Sequence, residues 1–496
     1  MAQPESNERK WVWVLCLLAA VHVFIYAAAF PFFDNVDEQA HFDLAVKYSH
    51  GEFPRRLDFL SRESLQYIAI YSSQEFLASE KEFPGLNMPP PIWLLPPDKV
   101  AAVLQYREAG WQNINHEASQ PPLYYLLAGS WWRMENLCGL DGGHALYGLR
   151  FLNLLLIATL VWLGYAAARL VFPENKLVRL GVPSLIACLP QTAFYGISND
   201  VLSPVSFGIA FILLVKFSRA EIPGVKLGAA TGLALAATFL TKISSLPLVA
   251  VSALFVLWKI LHLARDGKCR AAWPAILSLA LCAGIPMAGW LVWCQHNFGD
   301  LTGSAAKIAF LGWTHQPFAA WWHHPIFTPA GFWTFISGVL ATFWQGEYMW
   351  HRQPLALPVM NVIYVLLSAG LIALALVNLR PASASVTASQ RRELWFGFWI
   401  LAAAVMFLGL LSVSYDFHDC FYPSREHPYF TSGRLILGAL IPFLILLLYG
   451  LDCALERIKI RRGKWLVLAG LILFMLISEI TTDWPAFFSQ YNWFHL

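Results

Sequence analysis

Long apolar runs separated by short polar turns dominate the chain. The first covers residues 11–33 and follows a polar stretch ending in Arg9 and Lys10. Others cover residues 147–170, 180–197, 201–215, 227–240, 243–261, 271–293, 357–377, 394–413, 435–451 and 465–480. A helix of ~20 apolar residues crosses the hydrocarbon core, so the pattern predicts about eleven transmembrane helices. The expected fold is all-α and polytopic. Residues 34–145 break the pattern and form a large first outer loop. Its Pro-rich segment, residues 84–97, cannot be a regular helix. Residues 121–132 are apolar but reach only about 18 Å, and predict a helix lying on the membrane surface. No small-residue cleavage site precedes the acidic segment after the first run, which therefore reads as an uncleaved span.

Composition narrows the class. Hydrophobic residues make up 57% and charged residues only 13% of the 496 positions. That is about half the charge of a soluble domain, which argues against a soluble enzyme or a disordered chain. The 22 Trp, 17 Tyr and 35 Phe suit membrane–water interfaces. A net charge of +3 without a basic stripe gives no reason to expect nucleic acid as a partner. The eight Cys are scattered, and no CxxC occurs, so neither a zinc site nor a disulfide framework is indicated.

Basic residues set the expected sidedness. Arg9 and Lys10 put the N-terminus in the cytoplasm by the positive-inside rule. Inner turns then carry Lys176 and Arg179, Lys216 and Arg219, Arg265, Lys268 and Arg270, and Arg380, Arg391 and Arg392. The last carries Arg457, Lys459, Arg461, Arg462 and Lys464. One integral membrane domain, 1–496, is expected. Spans two to seven lie in 146–294, a second outer loop in 295–356, spans eight to eleven in 357–482 and an outer tail in 483–496. Acidic, His and aromatic residues concentrate on the outer side, so the chemistry is expected there.

Four groups carry candidate chemistry. The first is Asp34-Asn35-Val36-Asp37-Glu38-Gln39-Ala40-His41-Phe42, directly after the first span. In a helix, Asp37 and His41 are one turn apart. Asp34 would then cap the helix with Asp37 at its third position, both favoured by the helix dipole. Alternatively, Asp37 acts as general base on an incoming hydroxyl. The second group is Asn199-Asp200, either a helix N-cap or a second carboxylate on the same side as Asp37. The third is cationic: Arg150, Lys242 and Arg434 fall at outer ends of spans, where positive charge is disfavoured. Each alone reads as snorkelling, but together they suit a phosphate. The fourth, residues 414–434, holds Asp416, His418, Asp419 and His427. No matching ligand cluster accompanies them, so no metal site is assigned, and a solvated loop accounts for the segment almost as well. Trp321-Trp322-His323-His324 and Phe343-Trp344-Gln345-Gly346-Glu347-Tyr348 read as interface aromatics.

Taken in order, these motifs resemble the GT-C superfamily of membrane glycosyltransferases, which use polyprenyl-phosphate sugars. The resemblance runs from Val36-Asp37-Glu38-Gln39-Ala40-His41-Phe42 through His116-Glu117-Ala118-Ser119-Gln120-Pro121-Pro122-Leu123-Tyr124-Tyr125. It continues through Ile197-Ser198-Asn199-Asp200, Leu240-Thr241-Lys242 and Gly433-Arg434. It implies a catalytic base at Asp37 with Glu38 as its neighbour, an outer acid at Asp200, and a lipid phosphate held by Lys242, Arg434 and Arg150. His41, Tyr124 and His427 complete the candidate set as substrate contacts. The surface helix beginning with Pro121-Pro122 also fits. His116 is displaced from the usual place directly before Pro-Pro, where this chain has Gln120.

The implied activity is inverting transfer of a sugar from a polyprenyl-phosphate donor to a hydroxyl of a lipid, glycan or protein acceptor. No cofactor is implied beyond an optional divalent cation. The implied place is a bacterial inner membrane, with the site on the periplasmic face. A transporter or flippase of a polyprenyl-linked glycan is the alternative, but no matching halves of the kind transporters carry are present.

Overall fold

The computed structural model describes residues 3–110, 113–380, 386–420, 422–459 and 463–496. Arg461 and Arg462 of the last basic turn lie outside them. The chain runs α1 (Gln3–Ala29), α2 (Glu38–Ser49), α3 (Arg62–Tyr71), α4 (Pro97–Gly110), α5 (Leu123–Leu137) and α6 (Gly142–Val171). It continues as α7 (Lys176–Ala187), α8 (Ser203–Arg219), α9 (Val225–Thr241), α10 (Leu246–Arg265), α11 (Cys269–Phe298) and α12 (Ser304–Phe310). It ends with α13 (Phe318–Trp321), α14 (Pro329–Gln345), α15 (Pro358–Asn378), α16 (Ala388–Ser414), α17 (Leu440–Arg457) and α18 (Lys464–Phe487). Strands among the described residues are two-residue pairs only.

Nine helices among the described residues are long and apolar enough to cross a membrane. The two expected spans that fall short are residues 180–197 and 227–240. Pro190 explains the first: α7 stops at Ala187, and residues 188–202 continue without α-helix apart from one 3₁₀ turn, Thr192–Tyr195. That irregular stretch is buried, and side chains satisfy its backbone. Asn153 Nδ2 donates to Phe194 O and Gly196 O at 2.9 and 2.8 Å, and Ile197 N donates to Glu38 Oε1 at 2.9 Å. The second is α9, 17 residues long, which ends where the chain turns extended at Lys242. α9 packs on α11 through a seam of small residues. A Cβ on Gly228 or Gly232 would strike the α11 backbone at Ala275 or Leu279.

Packing is centred on α17. The span containing it is 94% buried, against 22% for α11 and α15, which present apolar faces outward. In the first outer loop, α2 and α5 lie against each other. At Gly129 a side chain would meet Ala45 O and Ser49 N at 2.8 Å, so only glycine permits this approach. α5 has 15 residues, in keeping with the surface helix expected over residues 121–132. The segment 84–97 holds only two short 3₁₀ turns.

Two local expectations change. Asp34 caps no helix, because α2 starts at Glu38 with Asp37 in the N-cap position. Asp37 has a left-handed backbone (φ 63°) and makes no capping bond, which frees its carboxylate. The second outer loop contains the apolar helix α14, whose Phe343 and Trp344 are buried. Trp344 donates to Ser368 Oγ at 2.8 Å, so these aromatics belong to the core and not to an interface belt.

Candidate active site around Arg434

Gly433 and Arg434 open the 3₁₀ turn Gly433–Ala439 that feeds α17. Gly433 presses on the α14 backbone at Phe343, where no Cβ would fit, and its N–H donates to Thr342 Oγ1 at 2.8 Å. This contact aims Arg434 at three carboxylates from three parts of the chain. Nη2 donates to Asp37 Oδ2 at 2.6 Å, Nη1 to Asp200 Oδ2 at 2.9 Å, and Nε to Glu347 Oε2 at 3.2 Å. Lys242, in the extended break after α9, pairs with Asp200 Oδ1. Ser198 Oγ donates to Asp200 Oδ2 at 2.8 Å. Asn35, Val36, Ser198, Asp200, Glu347 and Arg434 line a small cavity.

A second set meets the other side of Asp37. His116 Nε2 lies 3.1 Å from Asp37 Oδ1 and 3.5 Å from Glu117 Oε1. Glu117 also pairs with Lys307 of α12 and accepts from Gln120 Nε2 at 2.6 Å. Asn115 fixes this segment. Its Nδ2 donates to Asp43 Oδ2 at 2.7 Å and to Ala40 O at 2.9 Å on α2, while its Oδ1 accepts from Glu117 N at 2.9 Å.

The field in the cluster is divided. Burial would raise the pKa of Asp37, but Arg434 and His116 hold it well below the ordinary range. Asp200 is likewise lowered against burial by Lys242 and Arg434. Burial also opposes Glu117, yet Lys307 brings it down to about 2. Glu347 goes the other way, raised by burial despite Arg434. His116 is raised, against the effect of burial, by its bond to Asp37. Three firm anions, Asp37, Asp200 and Glu117, thus face Arg434, Lys242 and Lys307, with Glu347 as a further carboxylate on Arg434. One atom each from Asp37, His116 and Glu117 lies within 4.8 Å of the others, a mixed N/O donor set that suits a divalent metal ion.

Of the residues singled out in the sequence, Asp37, Asp200, Lys242 and Arg434 converge here. Glu38 and Arg150 are corrections. Glu38 is buried and takes Arg150 Nε at 2.8 Å and Nη2 at 2.7 Å, together with Phe33 N and Ile197 N. Arg150 gives its remaining bonds to the carbonyls of Ala27, Phe30 and Pro31. With its nitrogens so engaged and no exposure, it has nothing to offer a phosphate, and Glu38 has no route to a substrate. His41 and Tyr124 are also enclosed. His41 sits in the α2–α5 interface, hydrogen-bonded to Tyr125 at 2.7 Å, and burial pushes it down to about 4. His427 is exposed in a distant turn, edge-on to Tyr429. Asp416 and His418 are tied by Arg425 at 3.1 and 2.6 Å. Glu347, Glu117, His116 and Lys307 join the cluster although the sequence assigns none of them a role. Their signal is a lone charge among aromatics or beside a proline motif.

The fold and this buried polar cluster define a multi-pass α-helical membrane protein. The chain belongs to the family described as "Predicted membrane protein (DUF2142)", which matches residues 17–416. No curated protein matches it. Among solved structures it is similar to the Archaeoglobus fulgidus oligosaccharyltransferase in complex with Zn and sulfate, with a TM-score of 0.40 and 12% identity over 95% of this chain and 53% of that one. It is also similar to the archaeal oligosaccharyltransferase AglB from Archaeoglobus fulgidus in complex with an inhibitory peptide and a dolichol-phosphate. There the TM-score is 0.39 and the identity 11%, over 97% of this chain and 55% of that one. The chain thus spans about half the length of these structures.

Proposed function

We propose that the protein transfers a sugar from a polyprenyl-phosphate donor to an acceptor hydroxyl, with inversion, at the outer (periplasmic) face of a bacterial inner membrane. The observation that carries this reading is the shared guanidinium of Arg434, which joins a partly exposed carboxylate, Asp37, to a cationic pair, Arg434 and Lys242. A base and a phosphate anchor therefore sit one hydrogen bond apart.

The acceptor oxygen attacks the anomeric carbon from the face opposite the phosphate. Its proton passes to Asp37, the carbon–oxygen bond to phosphate breaks, and the electron pair stays on the departing polyprenyl phosphate. Phosphate charge grows from one to two, so Arg434 and Lys242 replace a general acid. Without donor, Asp37 is a weak base because Arg434 stabilises its anion. Donor phosphate competes for Arg434, and the basicity of Asp37 rises as that bond loosens. The site is thus armed by its own substrate. A divalent cation on Asp37, His116 and Glu117 would add Lewis-acid positioning of the phosphate.

The test is transfer of label from a panel of radiolabelled polyprenyl-phosphate sugars to membrane acceptors by purified protein. Wild type is expected to transfer, and Asp37→Asn to bind lipid without transferring. Equal transfer by Asp37→Asn would remove the base assignment. Donor lipid crossing a vesicle bilayer with no transfer would favour a flippase.

A further inference from the structure

Three residues before Asp37 lies a carboxylate that the proposed reaction does not use. Asp34 is fully buried, and among the described residues no donor beyond Ser73 reaches its oxygens. Backbone bridges bring Phe32 to Ser72 and Asn35 to Tyr348, so the first and second outer loops flank it. Ser73 lies against Asp34, but its single hydroxyl proton goes to Glu75 Oε2 at 3.0 Å. Ser489, near the C-terminal end, donates to that same oxygen at 2.5 Å. Glu75 is itself 6% exposed. One more buried hydroxyl near both carboxylates, Tyr348 Oη, has no partner, and Tyr348 is 3% exposed.

Among the described residues no Lys, Arg or His forms an ion pair with Asp34, and Glu75 receives its side-chain bonds from serines. Arg150 acts on Asp34 only from a distance, since its nitrogens are held by Glu38 and three carbonyls. Burial first, and then the nearby Glu75, hold Asp34 well above the usual carboxylate range, and burial also raises Glu75. Two carboxylates in a dry site need a shared proton or a counter-ion. The Tyr348 hydroxyl favours the second: its oxygen lies near both carboxylates with no partner, so its lone pairs are open to a cation.

We infer that Asp34 and Glu75, with the hydroxyl oxygens of Ser73, Tyr348 and Ser489, bind a hard divalent cation of the calcium or magnesium class. The donors are all oxygen, which excludes preference for a soft metal. Their number suits calcium, which takes 6–8 oxygens, better than magnesium, which keeps several waters. The ion would staple the segment leading to Asp37, the first outer loop, the strand after Glu347 and the C-terminal end. It is separate from the Asp37, His116 and Glu117 group and does not depend on the reaction proposed above.

The test uses the full-length purified protein, stripped with chelator and dialysed against ⁴⁵Ca²⁺, with magnesium as competitor. Thermal unfolding is followed in parallel. Wild type is expected to bind calcium saturably and to unfold at higher temperature with it. Asp34→Asn and Glu75→Gln should each lose most of that binding, while His116→Ala keeps it. Displacement of the label by equimolar magnesium would assign the smaller ion. The inference is overturned if wild type binds neither ion, or if binding survives both carboxylate variants and disappears in His116→Ala. It is also overturned if Asp34→Asn raises the unfolding temperature with no response to either ion, the signature of a shared proton. If a carboxylate variant is not recovered, calcium binding retained by His116→Ala supports the inference and its loss there overturns it.

Discussion

Arg150 and Arg434 both sit in apolar spans and both pair with carboxylates, but Arg150 is fully buried and Arg434 keeps 13% of its side chain exposed. Arg150 grips a single carboxylate, Glu38, with two bonds and gives the rest to backbone carbonyls of one short segment. Those partners have no alternative state, so the pair is a rivet holding the end of α1 to α6. Arg434 divides itself among Asp37, Asp200 and Glu347, which come from different loops. None of these is bound to it alone, and a stronger anion can enter by displacing one at a time. Partner list and exposure together mark Arg150 as structural and leave Arg434 the one open to the proposed reaction.

The comparison is broken or sharpened by substitution. The largest effect expected is in transfer: Asp37→Asn should lower it ~100- to 10,000-fold while the protein still folds and binds donor lipid. Arg434→Lys keeps the charge but not the fork, and is expected to cut transfer roughly 100-fold and to weaken donor binding, read in steady-state assays. Arg150→Met should instead destabilise the fold by about 3–5 kcal/mol, because it strands a buried Glu38. Recovery of stability in the double variant with Glu38→Leu would sharpen the rivet assignment, and a stable Arg150→Met that merely fails to transfer would break it.

A smaller effect is expected from acid. Asp37, Asp200 and Glu117 have lowered pKa values in the folded protein. Their stabilisation is fully present above the unfolded carboxylate values and disappears as pH falls through the folded ones. For Glu117 that window runs from 4.5 down to about 2. Unfolding temperature followed across it should fall, and Glu117→Gln should flatten the slope. The smallest effect is expected at Glu347→Gln. Its bond to Arg434 is long at 3.2 Å and an amide oxygen can still accept from Ser432 Oγ, so the change should alter stability by about 1 kcal/mol or less.

Much of the fold and half of the cluster are legible in the amino-acid sequence. Charge that is out of place in an apolar pattern has a physical cost, so Asp37, Asp200, Lys242 and Arg434 stand out by position alone. The same rule selects Arg150 and Glu38, since pattern cannot tell a charge facing a cavity from one facing backbone carbonyls. Glu347 is hidden among aromatics that suggest a membrane interface equally well. The break at residues 188–202 reads as the end of a span, although Pro190 marks it. Hydropathy counts apolar residues and is blind to a turn buried inside protein. Lys307 is invisible, since α12 lies in a loop with no periodicity and meets Glu117 only through tertiary packing.

The distances along the chain between the partners of Arg434 have a consequence for biosynthesis. Asp200 precedes it by 234 residues and Asp37 by 397. At roughly 5–20 residues per second, a ribosome delivers Arg434 about 20 to 80 s after Asp37. By then Asp200 has met Lys242 and Glu117 has met Lys307, but Asp37 still lacks its guanidinium partner. Insertion of α17 is therefore the step that closes the cluster, and a chain stalled before it would present quality-control proteases with an unfinished acidic cleft.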